Sequence, residues 1–273
     1  MRTIIYKTAC LLMVLAAAMT TFRLSASDTL HRADSAYNRG EYDKAVELYK
    51  SAEVSEGTSA AMLYNLGNAY YKSGDEGHAM VSYMRAKRLD PRNSRINDNI
   101  KFLSSRVEDV NKAELKGKKG NVSPDPLSFF QRAGNTITRD TSSDYWAVFG
   151  ALSFVILLGA LAVYIFSPAV TLKKLGFFSA IIMFVFTVIF TIFALTAAHA
   201  FEKHDEVVLT AFKTTLKEEP DENAQAVGSP LHRGTLFTIL EDERDHSGEP
   251  AWFKVKLNSD NIGWISASDV EII

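Results

Sequence analysis

The sequence predicts a multidomain chain that joins an all-α repeat region, a hairpin of two apolar helices and an all-β region. Three observations predict this fold class: a pattern that recurs 34 residues apart, two long runs without charged residues, and short β-branched runs after residue 206. With 273 residues, the chain is long enough for two small folded domains and connecting segments. The formal net charge of −2 gives no indication of a nucleic-acid partner.

Residues 1–26 have the composition of an export signal. Arg2 and Lys7 precede an apolar stretch at 8–22, and small residues follow it at 25–27. This order is typical of a cleaved signal peptide, and an uncleaved anchor helix is the alternative because Arg23 lies close to the expected cleavage site. Cys10 is the single cysteine, so a cleaved chain would have no cysteine and no disulfide.

The region 27–110 is predicted to be all-α because small residues and tyrosines recur at a spacing of 34. Small residues let two antiparallel helices approach closely, and glycine suits the turn between them. Residues 94–110 continue the helical spacing and are expected to form a capping helix. The matching positions are Ala33, Gly40, Ala45, Tyr49 and Ala52 in the first copy and Gly67, Gly74, Ala79, Tyr83 and Ala86 in the second.

The second copy resembles a tetratricopeptide repeat, and the 34-residue spacing is the period of that family. The resemblance implies an all-α tetratricopeptide repeat domain that binds protein partners. Two repeats bury only a modest core, so help from a partner or self-association is expected. The residues that carry the resemblance are Leu63, Leu66, Gly67, Tyr70, Ala79, Tyr83, Ala86 and Pro91.

A peptide-binding groove is expected on the inner face of the first helix of each repeat. Asparagine can bond to a peptide backbone there, and tyrosine offers flat apolar area with a polar tip. Packing between helices is the alternative for the tyrosines. The candidate groove residues are Leu30, Asp34, Tyr37, Asn38, Tyr64, Asn68, Tyr71, Lys72, Asp98 and Phe102.

Residues 111–144 are predicted to be a linker and a juxtamembrane segment. The part at 112–125 is rich in lysine and glycine and ends in Ser-Pro-Asp-Pro, which is typical of a connection without helix or strand. The following stretch places Phe129 and Phe130 beside Arg132. This stretch either lies along the membrane surface or forms a short ordered stub before the next segment.

Two charge-free runs predict a two-helix transmembrane hairpin, with spans at 145–166 and 175–201 and a connection at 167–174. The runs at 146–166 and 175–201 would form helices of roughly 31 and 40 Å, which is enough to cross a hydrocarbon core of about 30 Å. Lys173 and Lys174 lie in the connection, whereas acidic residues flank both outer ends. Positively charged loops stay cytoplasmic, so both soluble modules are expected on the outer side.

Residues 205–273 are predicted to form a small all-β domain with six basic and fourteen acidic residues. Their apolar runs resemble a bacterial SH3-like barrel, notably Trp252 with the following Lys254 and Val255, and the triplet 263–265 around Trp264. Trp252 is a candidate residue of an SH3-like groove, with a core position as the alternative. Trp264 is expected in the core.

No catalytic motif, phosphate loop or zinc-protease motif is present in the sequence. The nearest approach to a metal site is the group His199, Glu202, His204 and Asp205, but His204 is offset from the helix face that His199 and Glu202 share. The sequence therefore predicts a non-catalytic protein without a metal or cofactor.

The domain order resembles the BatE proteins of the aerotolerance (Bat) operons of Gram-negative bacteria. This resemblance implies an inner-membrane scaffold whose soluble modules face the periplasm. It also implies partners, namely membrane-bound von Willebrand A-domain proteins and a MoxR-type ATPase, together with membrane lipid. The alternative function is an envelope sensor whose SH3-like domain binds cell-wall glycan or peptide.

Overall fold

The computed structural model describes residues 27–115, 121–245 and 247–273. The expected export signal at 1–26, with Cys10, lies outside the described residues. Five helices come first, and consecutive helices pack against each other around a core of small and aromatic side chains. They are α1 (Ser27–Asn38), α2 (Tyr42–Glu56), α3 (Ala60–Ser73), α4 (Glu76–Leu89) and α5 (Ser94–Leu115).

Local sequence explains where the repeat helices begin and end. Gly74 follows α3 in the left-handed conformation, at a φ of 90°, and its N–H group bonds to the last carbonyls of that helix. Ser59 and Asp75 cap the first turns of α3 and α4 by accepting hydrogen bonds from backbone N–H groups. Gly67 lies under the Tyr83 ring, where an added Cβ would be 2.6 Å from ring carbons. The small residue is therefore required for the close packing of α3 on α4.

The part of the expected linker at 121–125 contains no helix or strand and is docked onto the sheet, a contact that the sequence does not predict. Asn258 donates hydrogen bonds to the carbonyls of Asn121 and Ser123, at 2.8 and 2.7 Å. Val122 is buried in the core of the sheet domain. The capping helix was expected to end at residue 110, but α5 continues to Leu115. The side chain of Asn111, in this extension, bonds to the sheet domain.

A short amphipathic helix, α6 (Phe129–Thr138), precedes two long apolar helices, α7 (Ser143–Phe166) and α8 (Val170–Glu202). The two long helices pack along each other, and both are long and apolar enough to cross a membrane. Gly176 allows this packing, because a Cβ there would be 2.7 Å from the Ala160 carbonyl oxygen. Most of the other apolar side chains on this pair are exposed.

The connection between the two apolar helices is shorter than the expected 167–174. Pro168 disfavours helix at the residue before it, so α7 ends at Phe166. Nothing after Ala169 breaks a helix, and α8 begins at Val170. Lys173 and Lys174 therefore lie at the beginning of α8 and not in a loop.

The last region is a seven-stranded antiparallel sheet in the order β3-β2-β6-β5-β4-β1-β7. Its alternating apolar residues form a second core that includes Leu216, Leu231, Phe253 and Ile265. The strands are β1 (Glu206–Leu209), β2 (Lys213–Lys217), β3 (Ala226–His232), β4 (Leu236–Arg244), β5 (Pro250–Asn258), β6 (Asn261–Ser266) and β7 (Val270–Ile272).

The repeats and the sheet share a third core, which the sequence does not predict. Val208 and Ile273 are buried against Met80 and Tyr83 of α4 and against Leu103 of α5. The side-chain amide of Asn111 extends this contact, since it donates to the Thr235 hydroxyl at 3.0 Å and accepts from the His232 N–H at 2.9 Å. The two regions consequently pack as one body.

Candidate protein-interaction surface

The first helices of the repeats, α1 and α3, together with α5, carry the expected groove residues. Two hydrogen-bonded triads tie these helices together. In the first, the Asp34 carboxylate accepts from the Tyr49 hydroxyl and from the Asn65 amide, the latter at 3.4 Å. In the second, the Asn68 carbonyl oxygen accepts from the Tyr83 hydroxyl at 2.8 Å and from the Asn99 amide at 3.0 Å.

These triads occupy equivalent positions, because each member of the second lies 34 residues after its counterpart in the first. Burial raises the pKa of the Tyr83 hydroxyl above its ordinary value. Burial, followed by the hydrogen bond to Asp34, likewise raises the pKa of Tyr49. Both phenols therefore stay protonated and act as donors at neutral pH. Oδ1 of Asp34 and the side-chain oxygen of Asn68 therefore serve packing between helices, which leaves Oδ2 of Asp34 and the NH₂ group of Asn68 for a peptide.

Tyr49, Asn65 and Asn99 were missed as members of this site. The signal that could have found them is the same spacing of 34, applied to polar residues as well as to small ones. A tyrosine on the second helix and an asparagine on the next first helix recur in phase with Asp34 and Asn68.

An aromatic pair joins α3 and α5 at the surface of the repeats. The rings of Tyr71 and Phe102 meet edge to face with centroids 5.9 Å apart, and the Phe102 side chain is 54% exposed. Tyr64 is partly buried, with its ring centroid 6.0 Å from that of Tyr83 and the Arg95 guanidinium 6.0 Å above it. An apolar or aromatic side chain of a partner could cover this surface.

The remaining expected groove residues divide into two groups. Leu30 and Tyr37 pack against the core of the first repeat, and the Tyr37 ring meets the Tyr42 ring edge to face at 5.5 Å. Packing between helices therefore accounts for Tyr37. Asn38, Lys72 and Asp98 are exposed at the rim of the repeat surface.

On the sheet, both tryptophans lie on the face opposite the buried core. The alternation along β5 and β6 buries Phe253 and Ile265 and turns Trp252 and Trp264 outward, where both are partly buried. The ammonium of Lys254 lies 5.8 Å from the centre of the Trp264 ring. The expectation that Trp264 belongs to the core is wrong, because it alternates with Gly263 and Ile265, which are buried residues of β6.

A charged cluster where α4 meets β7 was also missed from the sequence. The Asp75 carboxylate is 2.7 Å from Nδ1 of His78, and the Arg85 guanidinium is 2.9 Å from the Glu271 carboxylate. The hydrogen bond to Asp75 raises the pKa of His78. Asp75 and His78 are three residues apart at the beginning of α4, but no local spacing relates His78 and Arg85 to Glu271, so only the folded chain brings these together.

The histidine group near residue 200 is not assembled as a metal site. His199 lies near the end of α8, and Nδ1 of His204 is 2.9 Å from the Glu202 carbonyl oxygen. Over residues 27–115, 121–245 and 247–273, no three His, Cys, Asp or Glu side chains are grouped so that they could hold a metal ion.

Comparison with known families supports the repeat assignment directly. A TPR repeat model matches residues 33–74, and a tetratricopeptide repeat model matches residues 60–93. A comparison with curated proteins gave no match to the chain. The two family matches cover the first triad, together with Asn68 and Tyr83 of the second triad and Tyr71 of the aromatic pair, whereas Asn99 and Phe102 of α5 lie beyond them. The chain therefore contains tetratricopeptide repeats, which are a protein-interaction module.

Proposed function

We propose that this protein is a non-catalytic scaffold of the inner membrane that presents its repeats and an SH3-like domain to the periplasm. The main observation in support of this proposal is that both folded regions join the same end of the apolar hairpin. Arg88 of the second repeat donates hydrogen bonds to the carbonyls of Phe201 and Ile273. This arrangement supports a topology in which one anchored body faces one side of the bilayer.

The hairpin has the properties of such an anchor. Its two helices are apolar over most of their length and exposed, and Trp146 lies at the end nearest the folded body, where its indole N–H donates to the Ile137 carbonyl at 3.0 Å. Lys173 and Lys174 lie near the opposite end, which suits a cytoplasmic tip. A signal at 1–26 would deliver the amino-terminal region to the outer side.

Because the domain order resembles that of BatE proteins, the proposal also includes the partners. A BatE-like protein would work in a Bat (aerotolerance) complex with von Willebrand A-domain proteins and a MoxR-type ATPase. The aromatic pair Tyr71 and Phe102 is the surface of the repeats best suited to such a protein partner.

Topology is tested with single cysteines in a Cys10→Ser background. Ser35→Cys in α1 and Ser268→Cys after β6 are both exposed, and Ser167→Cys lies at the hairpin tip. A membrane-impermeant maleimide should label the first two in cells with a permeabilised outer membrane, and Ser167→Cys only after the inner membrane is opened. Labelling of Ser35→Cys and Ser268→Cys on opposite sides would contradict the scaffold topology.

Partner binding is tested by photocrosslinking in membranes. A photoreactive amino acid at Phe102 should give a discrete crosslinked product that disappears in a Tyr71→Ala variant. The matched control is Val54, which is 90% exposed but lies on α2, away from the aromatic pair. Equal crosslinking from Phe102 and Val54 would mean that the aromatic pair is not a preferred binding surface for a partner.

The second candidate function, an envelope sensor, has one specific observation in its favour. Trp252 and Trp264 lie together on the outward face of the sheet, where aromatic rings can stack on sugars or peptides. The full-length protein in detergent should then co-sediment with purified wall material, and Trp252→Ala should reduce the bound fraction. The net charge of −8 over residues 205–273 opposes binding to anionic polymers, so the scaffold function is favoured.

A further inference from the structure

A cavity of about 830 Å³ lies where the repeats, α6 and the ends of the apolar hairpin meet. This volume is in the range of small-molecule sites in proteins. Five helices contribute to its wall, together with the connection between α6 and α7 and the beginning of the sheet domain. The proposed function makes no use of this cavity.

One part of the cavity wall is apolar and continuous with the hairpin. Ala197, Ala200 and Phe201 of α8 line it, and Leu89 and Leu127 complete the apolar side. Leu89 and Leu127 are 45% and 47% exposed, so this side is open and not sealed by packing. A hydrocarbon chain could leave the cavity along α8 without crossing a polar barrier.

The other part of the wall is charged, and pairing leaves an excess of positive charge. Lys87 pairs with Asp140 at 2.9 Å, and Arg139 pairs with Asp205 at 3.1 Å and also with Glu206. The single positive charge of Arg139 is shared by Asp205 and Glu206, and Asp144 lies in the first turn of α7, where the helix dipole favours a carboxylate. The lining holds five basic and four acidic side chains, so its formal charge is +1.

Three cations of the lining form no ion pair among the residues that the structure describes. Arg88 donates only to backbone carbonyls, whereas Arg132 and Lys203 line the cavity without a side-chain ion pair. Arg132 shares one face of α6 with Asn135 and Thr136, which adds neutral hydrogen-bonding groups beside the positive charge. Guanidinium and ammonium groups with such neighbours are suited to a phosphate ester.

We propose that this cavity binds the phosphate-ester headgroup of a phospholipid, with Arg132 and Lys203 as its cationic ligands and the acyl chains leaving along α8. A phosphate with an apolar tail satisfies both sides of the cavity, whereas a free phosphate ester satisfies only the charged side. The assignment to a lipid rests on the proposed membrane topology, which places the cavity at the boundary between membrane and water.

The test uses the full chain in an uncharged detergent and native mass spectrometry. A short-chain phosphatidylglycerol is titrated, in parallel with glycerol phosphate as the free headgroup ester. The test variant is Arg132→Gln with Lys203→Gln. The matched control is Lys50→Gln with Lys101→Gln, which removes the same charge from exposed positions of α2 and α5. Thermal unfolding of each variant shows whether the fold is kept.

Phosphatidylglycerol should bind with discrete stoichiometry, and the test variant should bind it at least tenfold more weakly than the wild type and the control variant. Equal binding by the test and control variants would overturn the site. Equal binding of glycerol phosphate and phosphatidylglycerol would overturn the assignment to a lipid. Alkaline extraction of membranes tests the anchor separately, so a failed topology and a failed headgroup site give different results.

Discussion

His78 is the residue at which the contact between the repeats and the sheet depends on protonation. Its Nδ1 atom is 2.7 Å from the Asp75 carboxylate, and its Nε2 atom is 3.8 Å from the Glu271 carboxylate. The Tyr70 ring stacks on the imidazole at 5.2 Å. The hydrogen bond to Asp75 raises the His78 pKa, against the lowering effect of burial and of Lys50. The folded state therefore holds the imidazolium more tightly than the unfolded state does.

This raised pKa predicts the sign of a pH effect on the free energy of unfolding. The stabilisation is complete below the unfolded-state pKa of about 6.5 and is lost as pH rises through the higher folded-state pKa. Because the His78 side chain is 38% exposed, solvent screening should keep the effect below about 1 kcal/mol. Denaturant unfolding between about pH 5.5 and 8.5 should show this loss in the wild type.

The matched variant for this measurement is His78→Gln, which keeps a polar side chain and cannot titrate. Its free energy of unfolding should be flat over the interval in which the wild type loses stability. Asp75 does not interfere, because its pKa is lowered from an ordinary value that already lies below this interval. Parallel pH profiles for the two proteins would show that the imidazolium contributes nothing to the folded state.

At the scale of elements, the beginning of α4 fits closely against β1. A Cβ added to Gly77 would lie 3.0 Å from the Leu209 carbonyl oxygen and 3.0 Å from the Thr210 Cα. Leu209 ends the paired strand β1 and Thr210 follows it, so these backbone atoms cannot move aside like the end of a flexible side chain. Gly77 therefore allows a close approach of α4 to the end of β1.

Gly77→Ala should destabilise the protein by about 1–3 kcal/mol, because overpacking costs more than the gain in helix propensity of at most about 1 kcal/mol. Gly134→Ala in α6 is the matched control, since an added Cβ there meets no atom within 4 Å. That change should be neutral or stabilising. The midpoint of denaturant unfolding is measured for both variants. Equal midpoints for Gly77→Ala and Gly134→Ala would mean that α4 and β1 have room to separate.

Elements formed by local pattern were predictable from the sequence, whereas contacts between regions were not. The spacing of 34 found the repeat helices, since helix packing requires small residues at fixed intervals. Lysine and glycine at 112–125 indicated the absence of helix or strand but gave no sign that Asn258 holds the backbone of Asn121. Alternation places Val208 on the face opposite Val207 and Leu209, and it does not predict that the repeats cover that face.

The candidate site was predictable to a similar degree. Tyr71 and Phe102 were expected on the inner face, and the structure brings their rings together. Asn68 was expected to serve a peptide, but its oxygen is used by Tyr83 and Asn99. The residue type determines which hydrogen bonds a side chain can form, and the fold determines which neighbours are close enough to form them.

At the scale of the whole molecule, Arg88 connects all three regions. From α4 it donates to the carbonyls of Phe201 and Lys203 at the end of the hairpin, and to Ile273 after the last strand. Desolvation lowers its pKa, while the charges of Glu206 and Asp205 oppose that shift. Together with the core shared by α4, α5 and β1, this contact favours a single cooperative unit.

The last prediction separates one cooperative unit from two independent ones. Leu63 is buried only in the core of the repeats and Leu231 only in the core of the sheet. Truncation of either to alanine should cost about 2–5 kcal/mol. In a single unit, Leu231→Ala should speed hydrogen exchange of α4 amides as much as that of β5 amides, and Leu63→Ala should have the reciprocal effect.

Val54→Ala, at a side chain 90% exposed, should change neither region. Faster exchange confined to the region that carries the substitution would mean that the shared core does not couple them, and that the repeats could respond to a partner without affecting the sheet.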